Sequence, residues 1–102
     1  MDKNKNDINE LNEANSLLNQ HLCNFISSKF LFIYRDLDGT EISQNKYAEL
    51  CGLSSSTLSK IKSSKGYDMP LTTLYNICRH ERCSLKEFFD EFEGKYGKSI
   101  LP

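Results

Sequence analysis

The sequence predicts an all-α fold of five helices, and three observations carry that expectation. Apolar residues recur three, four and seven apart along most of the chain, the spacing that keeps them on one side of a helix. Ser43, Ser54, Pro70 and Ser84 stand where helices would begin; serine caps the first free N–H groups and proline pre-sets the first turn. Prolines number only two, while six Phe and five Tyr supply bulk for a core, a globular composition rather than a disordered one. At 102 residues the chain has room for one domain with a modest core, and not for two.

Residues 1–16 are rich in Asn, Asp and Lys and read as a polar N-terminal arm or helix extension, with too few apolar groups to fold without a partner. Yet Ile8, Leu11, Leu18, Leu22, Phe25 and Phe32 fit one heptad seam, with Asn15 and Lys29 in the gaps, so a long first helix is expected. Its half over residues 17–37 should dock on the core, because Phe30, Ile33 and Tyr34 widen the stripe. The alternative for Phe30-Leu31-Phe32-Ile33-Tyr34 is a buried strand, for which the sequence offers no partner nearby. Asp38-Gly39-Thr40 then breaks the helix.

Ser43 can cap a second helix, residues 44–51, with Gly52 supplying the backbone freedom of a sharp turn. Ser54 can cap a third, running to about residue 63, and residues 63–68 read as a loop. Pro70 opens a fourth helix over residues 71–80, and the capping box Ser84-Leu85-Lys86-Glu87 opens a fifth through Phe92. Gly94 and Gly97 should close it, which makes residues 17–93 the domain and residues 94–102 a C-terminal tail. Ile8 and Leu11 lie beyond what such a core needs, so the heptad stripe is either core packing or a dimer seam.

No apolar run approaches the roughly 20 residues of a membrane span, and the start lacks the apolar centre of a secretory signal. A cytoplasmic location and no membrane partner are therefore expected. The formal net charge is only -1, yet its distribution is uneven. Between residues 43 and 82, six basic side chains (Lys46, Lys60, Lys62, Lys65, Arg79, Arg82) face three acidic ones (Glu49, Asp68, Glu81). The segments on either side are net acidic.

Cys23, Cys51, Cys78 and Cys83 form no Cys-x-x-Cys pair and read as reduced core thiols. Zinc is the sharper rival, because Cys78, His80 and Cys83 are close in sequence, with His21 and Cys23 elsewhere. The gap between the two thiols is at the edge of zinc-knuckle spacing, and Cys78 shares the stripe of Leu74 and Ile77. No nucleophile with an orienting acid and an oxyanion hole can be assembled, so no enzyme is expected, and no cofactor, metal or small-molecule ligand.

Residues 43–65 carry the functional signal. Two short helices crossing steeply need a small residue where they touch and a flexible one where the chain reverses; Ala48 and Gly52 meet both needs. Leu58 and Ile61 give the third helix its inward face, leaving Ser55, Ser56, Thr57, Ser59, Lys60 and Lys62 outside. Such hydroxyls and lysines suit a major groove.

The run Ser43-Gln44-Asn45-Lys46-Tyr47-Ala48-Glu49-Leu50-Cys51-Gly52-Leu53-Ser54-Ser55-Ser56-Thr57-Leu58-Ser59-Lys60-Ile61 resembles the helix-turn-helix of the phage repressor and Cro type, the XRE-like family. Pro70-Leu71-Thr72-Thr73-Leu74-Tyr75-Asn76-Ile77-Cys78 and Ser84-Leu85-Lys86-Glu87-Phe88-Phe89 are similar to that family's fourth and fifth helices. The resemblance implies a five-helix, lambda-repressor-like domain here carrying an extended first helix. It departs from the family at Tyr47, where an aliphatic residue is usual, at Lys62-Ser63-Ser64, which replaces a Glu-Asn-Gly type of ending, and in a longer loop over residues 36–42.

What the resemblance implies is a sequence-specific, repressor-like transcription regulator acting as a homodimer on double-stranded DNA. Base contacts fall on Ser55, Ser56, Thr57, Ser59 and Lys60. Phosphate contacts fall on Ser43, Gln44, Ser54, Lys62, Ser64 and Lys65. The alternative is an adaptor or antitoxin-like protein-interaction module of the same fold with little direct DNA binding, which the near-neutral charge favours.

Overall fold

The computed structural model describes residues 2–63 and 65–100; of residues 2–7 and 99 only the backbone is described. The described residues form five helices: α1 Asp2–Phe30, α2 Gln44–Cys51, α3 Ser55–Lys62, α4 Leu71–Glu81 and α5 Leu85–Ile100. They contain no strand. The phenyl rings of Phe25, Phe30, Phe88 and Phe92 form the floor of the core between α1 and α5, with Phe25 and Phe88 edge to face at 5.2 Å. Leu58 and Ile61 of α3 and Leu74, Ile77 and Cys78 of α4 close it from the other side. Cys23 is buried in α1, where its thiol donates to the Tyr67 carbonyl.

The first helix is long, as its heptad spacing predicts, but it ends seven residues earlier than residue 37. The Leu31 N–H still closes a helical turn on the Ser27 carbonyl, and Leu31 is buried. Beyond it the chain folds back on itself. Asp36 Oδ1 accepts the N–H groups of Asp38 and Thr40, Gly39 sits at φ 85, and the Ile42 N–H reaches the Tyr34 carbonyl at 2.9 Å. This reversal makes one antiparallel bridge, Arg35 to Glu41. The alternative of a strand across residues 30–34 is not borne out, since Phe30 ends α1, residues 31–33 are bends and the bridge lies beyond them at Arg35; Phe32, assigned to the heptad seam, is 72% exposed. The Asp36 turn brings Glu41 alongside Arg35, which accounts for the one bridge there.

The last helix departs in the opposite direction. Residues 94–100 are helical, so Gly94 and Gly97 do not close α5 and the tail expected over residues 94–102 is corrected to helix as far as Ile100. Residues 101 and 102 lie outside the described residues. Phe92, Tyr96 and Ile100 continue one stripe along α5, and the Tyr96 ring stacks on His21 at 4.3 Å. Burying those side chains outweighs the roughly 1 kcal/mol that each helical glycine costs.

The other boundaries follow local chemistry. Ser84 Oγ accepts the Glu87 N–H at the start of α5. At the end of α4, Arg82 takes the left-handed conformation (φ 56), so that the Cys83 N–H bonds the Cys78 carbonyl at 2.9 Å and the Arg82 N–H bonds that of Arg79. Gly52 ends α2 at φ 73, a conformation that glycine adopts without a Cβ penalty.

Two glycine substitutions should therefore move stability in opposite directions. Gly52→Ala strains a left-handed cap and should cost about 1 kcal/mol. Gly94→Ala places a methyl group where nothing lies within 4 Å and should gain about 0.5–1 kcal/mol. Urea denaturation of the two variants beside the wild type reads both signs.

Candidate nucleic-acid interface

The turn between α2 and α3 is built on Ala48, Gly52 and Leu53. Ala48 is 1% exposed, and its carbonyl accepts the Leu53 N–H at 2.8 Å. Its methyl group is small enough for α2 to lie close against its neighbours. Tyr47 sits beside it with no exposed surface, where the family usually has an aliphatic residue. A buried phenol needs a hydrogen-bond partner. The Tyr47 hydroxyl donates to the Glu81 carboxylate at 2.6 Å, and the His80 ring stands edge-on to the Tyr47 ring at 4.9 Å. His80 Nε2 in turn meets the Arg35 carbonyl at 2.8 Å, tying the long loop to α4. Tyr47, one departure from the family pattern, thus shares a cluster with Arg35, the residue that precedes the other, the 36–42 loop.

Burial, then the Glu81 hydrogen bond, raise the Tyr47 phenol far above its ordinary value of 10.0. Burial pushes the thiols of Cys51 and Cys78 up to about 11 each, from an ordinary 9.0. Buried thiols of this kind are inert packing groups. Among the described residues no group of three or more His, Cys, Asp and Glu is placed to hold a metal ion.

The outer face of α3 is ordered by caps and by α2. Ser43 Oγ accepts the Lys46 N–H at 3.1 Å and Ser54 Oγ accepts the Thr57 N–H at 3.2 Å, so both serines cap the helices they precede. Ser54 Oγ also lies 3.0 Å from Ser56 Oγ and 2.8 Å from Thr57 Oγ1. Neither α2 nor α3 carries an acidic residue in its first turn, so both positive dipole ends stay open to an anion. Leu58 and Ile61 have no exposed surface, whereas Ser56, Ser59, Lys60 and Lys62 are exposed and Ser55 and Thr57 partly so.

Gln44 joins the two helices. Its amide nitrogen lies 3.0 Å from the Ser55 carbonyl, 3.0 Å from Ser55 Oγ and 3.0 Å from Ser59 Oγ. Its amide oxygen accepts from the Tyr34 hydroxyl at 3.1 Å and from Lys62 Nζ at 3.3 Å. Lys62 Nζ also donates to the Tyr34 hydroxyl at 2.9 Å. Lys60 extends from the same helix with its ammonium 5.7 Å from the centre of the Tyr67 ring, a weak attraction that limits where the charge can go.

The structure thus gathers Gln44, Ser55, Ser59 and Lys62 into one cluster. Ser43 and Ser54 lie at helix starts, Lys65 is exposed beyond the end of α3, and Ser64 lies outside the described residues. Two members were not among the expected site residues. Tyr34 enters because the chain reverses over residues 36–40, and Tyr67 because the loop after α3 returns toward α1. Nothing in their immediate sequence neighbours, Ile33 and Arg35 or Gly66 and Asp68, marks either as a site residue.

With this geometry in view, residues 37–91 match the model of the Cro/C1-type HTH DNA-binding domain, more than half of the chain, and the protein belongs to that family. The family binds DNA and is not catalytic, and its fold is the lambda-repressor-like all-α arrangement. No curated protein and no solved structure matches the chain. Among the described residues no helix is long and apolar enough to cross a membrane.

The groups beneath the site set its alkaline limit. Cys51 and Cys78 stay protonated in the fold to about 11 but ionise near 9.0 when unfolded. Their contribution is complete below pH 9 and is lost as pH rises toward 11, where the unfolded chain releases protons first. The thermal midpoint should fall across that window, and the fall should be shallower in a Cys51→Ala, Cys78→Ala variant. An equally steep fall in the variant would assign the loss to other groups.

Proposed function

We propose that the chain is a sequence-specific, repressor-like regulator of transcription that reads the major groove through α3. One observation carries the reading: α3 buries Leu58 and Ile61 completely while its hydroxyl and lysine side faces outward. Ser55, Ser56, Thr57, Ser59 and Lys60 are the base-facing candidates, since the first turns of a recognition helix enter the groove. The open N-terminus of α2 at Ser43 and Gln44, the Ser54 cap, and Lys62, Ser64 and Lys65 are the phosphate-facing ones.

An eight-residue helix reads only a few base pairs, so the working unit is a homodimer on a pseudo-palindromic site with half-sites about one DNA turn apart. Residues 17–93, with the continuation of α5 to Ile100, form the DNA-binding unit, and the first half of α1 is an extension whose Ile8 and Leu11 remain more than half exposed. The setting is the cytoplasm, and the reading requires no cofactor.

The second reading is an adaptor or antitoxin-like module of the same fold, favoured by the net charge of -1 and by those exposed apolar side chains. Salt separates the two. Phosphate binding releases counterions, so log K should fall with log salt by about 0.9 for each phosphate neutralised. In a mobility-shift series on selected duplexes, a Lys60→Ala, Gln44→Ala double variant should bind at least about tenfold more weakly than the wild type. Equal affinity of the two proteins at every salt concentration would exclude the DNA reading.

A further inference from the structure

The heptad stripe of α1 outruns the core. Leu18, Leu22 and Phe25 are taken up in the domain's own packing, whereas Ile8 and Leu11, on the same face of the helix, are 58% and 52% exposed and belong neither to the core nor to the layer packed against it. The position of α5 shows where cover ends. It runs antiparallel to α1, with Phe88 and Phe92 beside Phe25 and Tyr96 beside His21. Ile100, one turn beyond Tyr96, ends it at the level of Leu17 and Leu18. From there α1 continues alone for about 15 residues, roughly 20 Å. That stretch includes Asn4, Asn6, Asn9, Asn12 and Asn15, poor helix formers, and a lone helix of this length is marginal in water. A second helix must lie against it.

We infer that the second helix is the same segment of another copy of this chain, packed antiparallel on the Ile8 and Leu11 face and placed end to end with α5. Three features select this occupant. First, the seam continues the face on which α1 already receives an antiparallel helix, so a partner entering beyond Ile100 prolongs an existing interface. Second, each domain is mounted on the seam face from Leu18 onward; parallel helices would drive the two domains into the same space, whereas antiparallel ones carry them to opposite ends. Third, the segment is self-complementary. By the heptad spacing, Asn4 and Asn15 are the seam positions on either side of Ile8 and Leu11. With Ile8 set opposite the partner's Leu11, Asn15 falls opposite the partner's Asn4, so apolar meets apolar and amide meets amide. Asparagine at such a position costs stability but fixes register. In the same register Lys5 flanks the partner's Asn12 and Asp7 flanks the partner's Ala14, which opposes no like charges along the seam.

This deepens the homodimer reading above and rests on it, but on no DNA contact. The dimer forms without DNA, so a duplex added to it leaves the seam as it is.

Sedimentation equilibrium of the full chain without DNA should show a mass rising from 11.8 kDa toward twice that value over the micromolar to millimolar range. Leu11→Lys buries a charge in the seam and should raise the midpoint concentration at least about tenfold. Because Leu11 lies outside the core, the near-ultraviolet circular dichroism of that variant should match the wild type. Direction is read by cross-linking. Asn4→Cys and Asn15→Cys proteins, mixed and treated with oxidised glutathione, should give a covalent dimer containing one of each, and neither should do so alone. The wild type treated likewise is the blank for the native thiols. A mass of 11.8 kDa at every concentration, an unchanged midpoint in folded Leu11→Lys, or a covalent dimer from Asn15→Cys alone overturns the inference. None of these results touches the DNA reading, which falls only if no duplex is bound.

Discussion

A phenol with no access to water is the constraint from which much of this structure follows. Tyr47 fills the place beside Ala48 where α2 meets the core, and its hydroxyl cannot stay unpaired there without costing roughly 1–3 kcal/mol. Glu81 meets that need only if α4 runs one residue past His80 and stops abruptly. The left-handed Arg82 provides the stop, a strained conformation held by the two carbonyl bonds of the α4 terminus. His80 then braces Tyr47 on one side and holds the Arg35 carbonyl on the other. The long loop is thereby fixed, and with it Tyr34.

From Tyr34 the constraint passes to the surface that defines function. Tyr34 and Tyr47 pack ring against ring at 5.0 Å, and the hydroxyl of Tyr34 meets Gln44. Hydrogen bonds in series polarise one another, and here the series begins at a charged ammonium and ends at two exposed or half-exposed serines. The segment between α1 and the 36–42 loop therefore supplies Tyr34 as a partner of Gln44 and Lys62. Electrostatics complete the picture. A chain with net charge -1 does not attract DNA as a whole, so local features must suffice: two helix starts free of carboxylates and the lysines near the end of α3.

How much of this was legible in the sequence depended on range. The caps Ser43 and Ser54, the turn at Gly52 and the inward pair Leu58 and Ile61 are set by neighbours within four residues, and each lies where local chemistry puts it. The ends of α1 and α5 do not. Phe32 looks like a seam residue until the Asp36 turn draws the chain back, and Gly94 looks like a stop until Tyr96 finds His21. Within the site, the expectation that Gln44 serves the phosphates comes from the family resemblance and the open helix start, and neither shows its side-chain partners. Its partners on α3 and in the loop, 11 to 18 residues away in one direction and 10 in the other, belong to the fold.

The central claim is that the start of α2 and the outward face of α3 together meet the nucleic acid. Amide chemical-shift mapping by NMR during titration with a selected duplex tests it directly. The account predicts that the largest changes fall on the amides at the start of α2 and along Ser55 to Lys60, with α5 and the first half of α1 little affected. Changes concentrated instead on the exposed Leu71 and Tyr75 side of α4, or on the Ile8 and Leu11 stretch of α1, would contradict it.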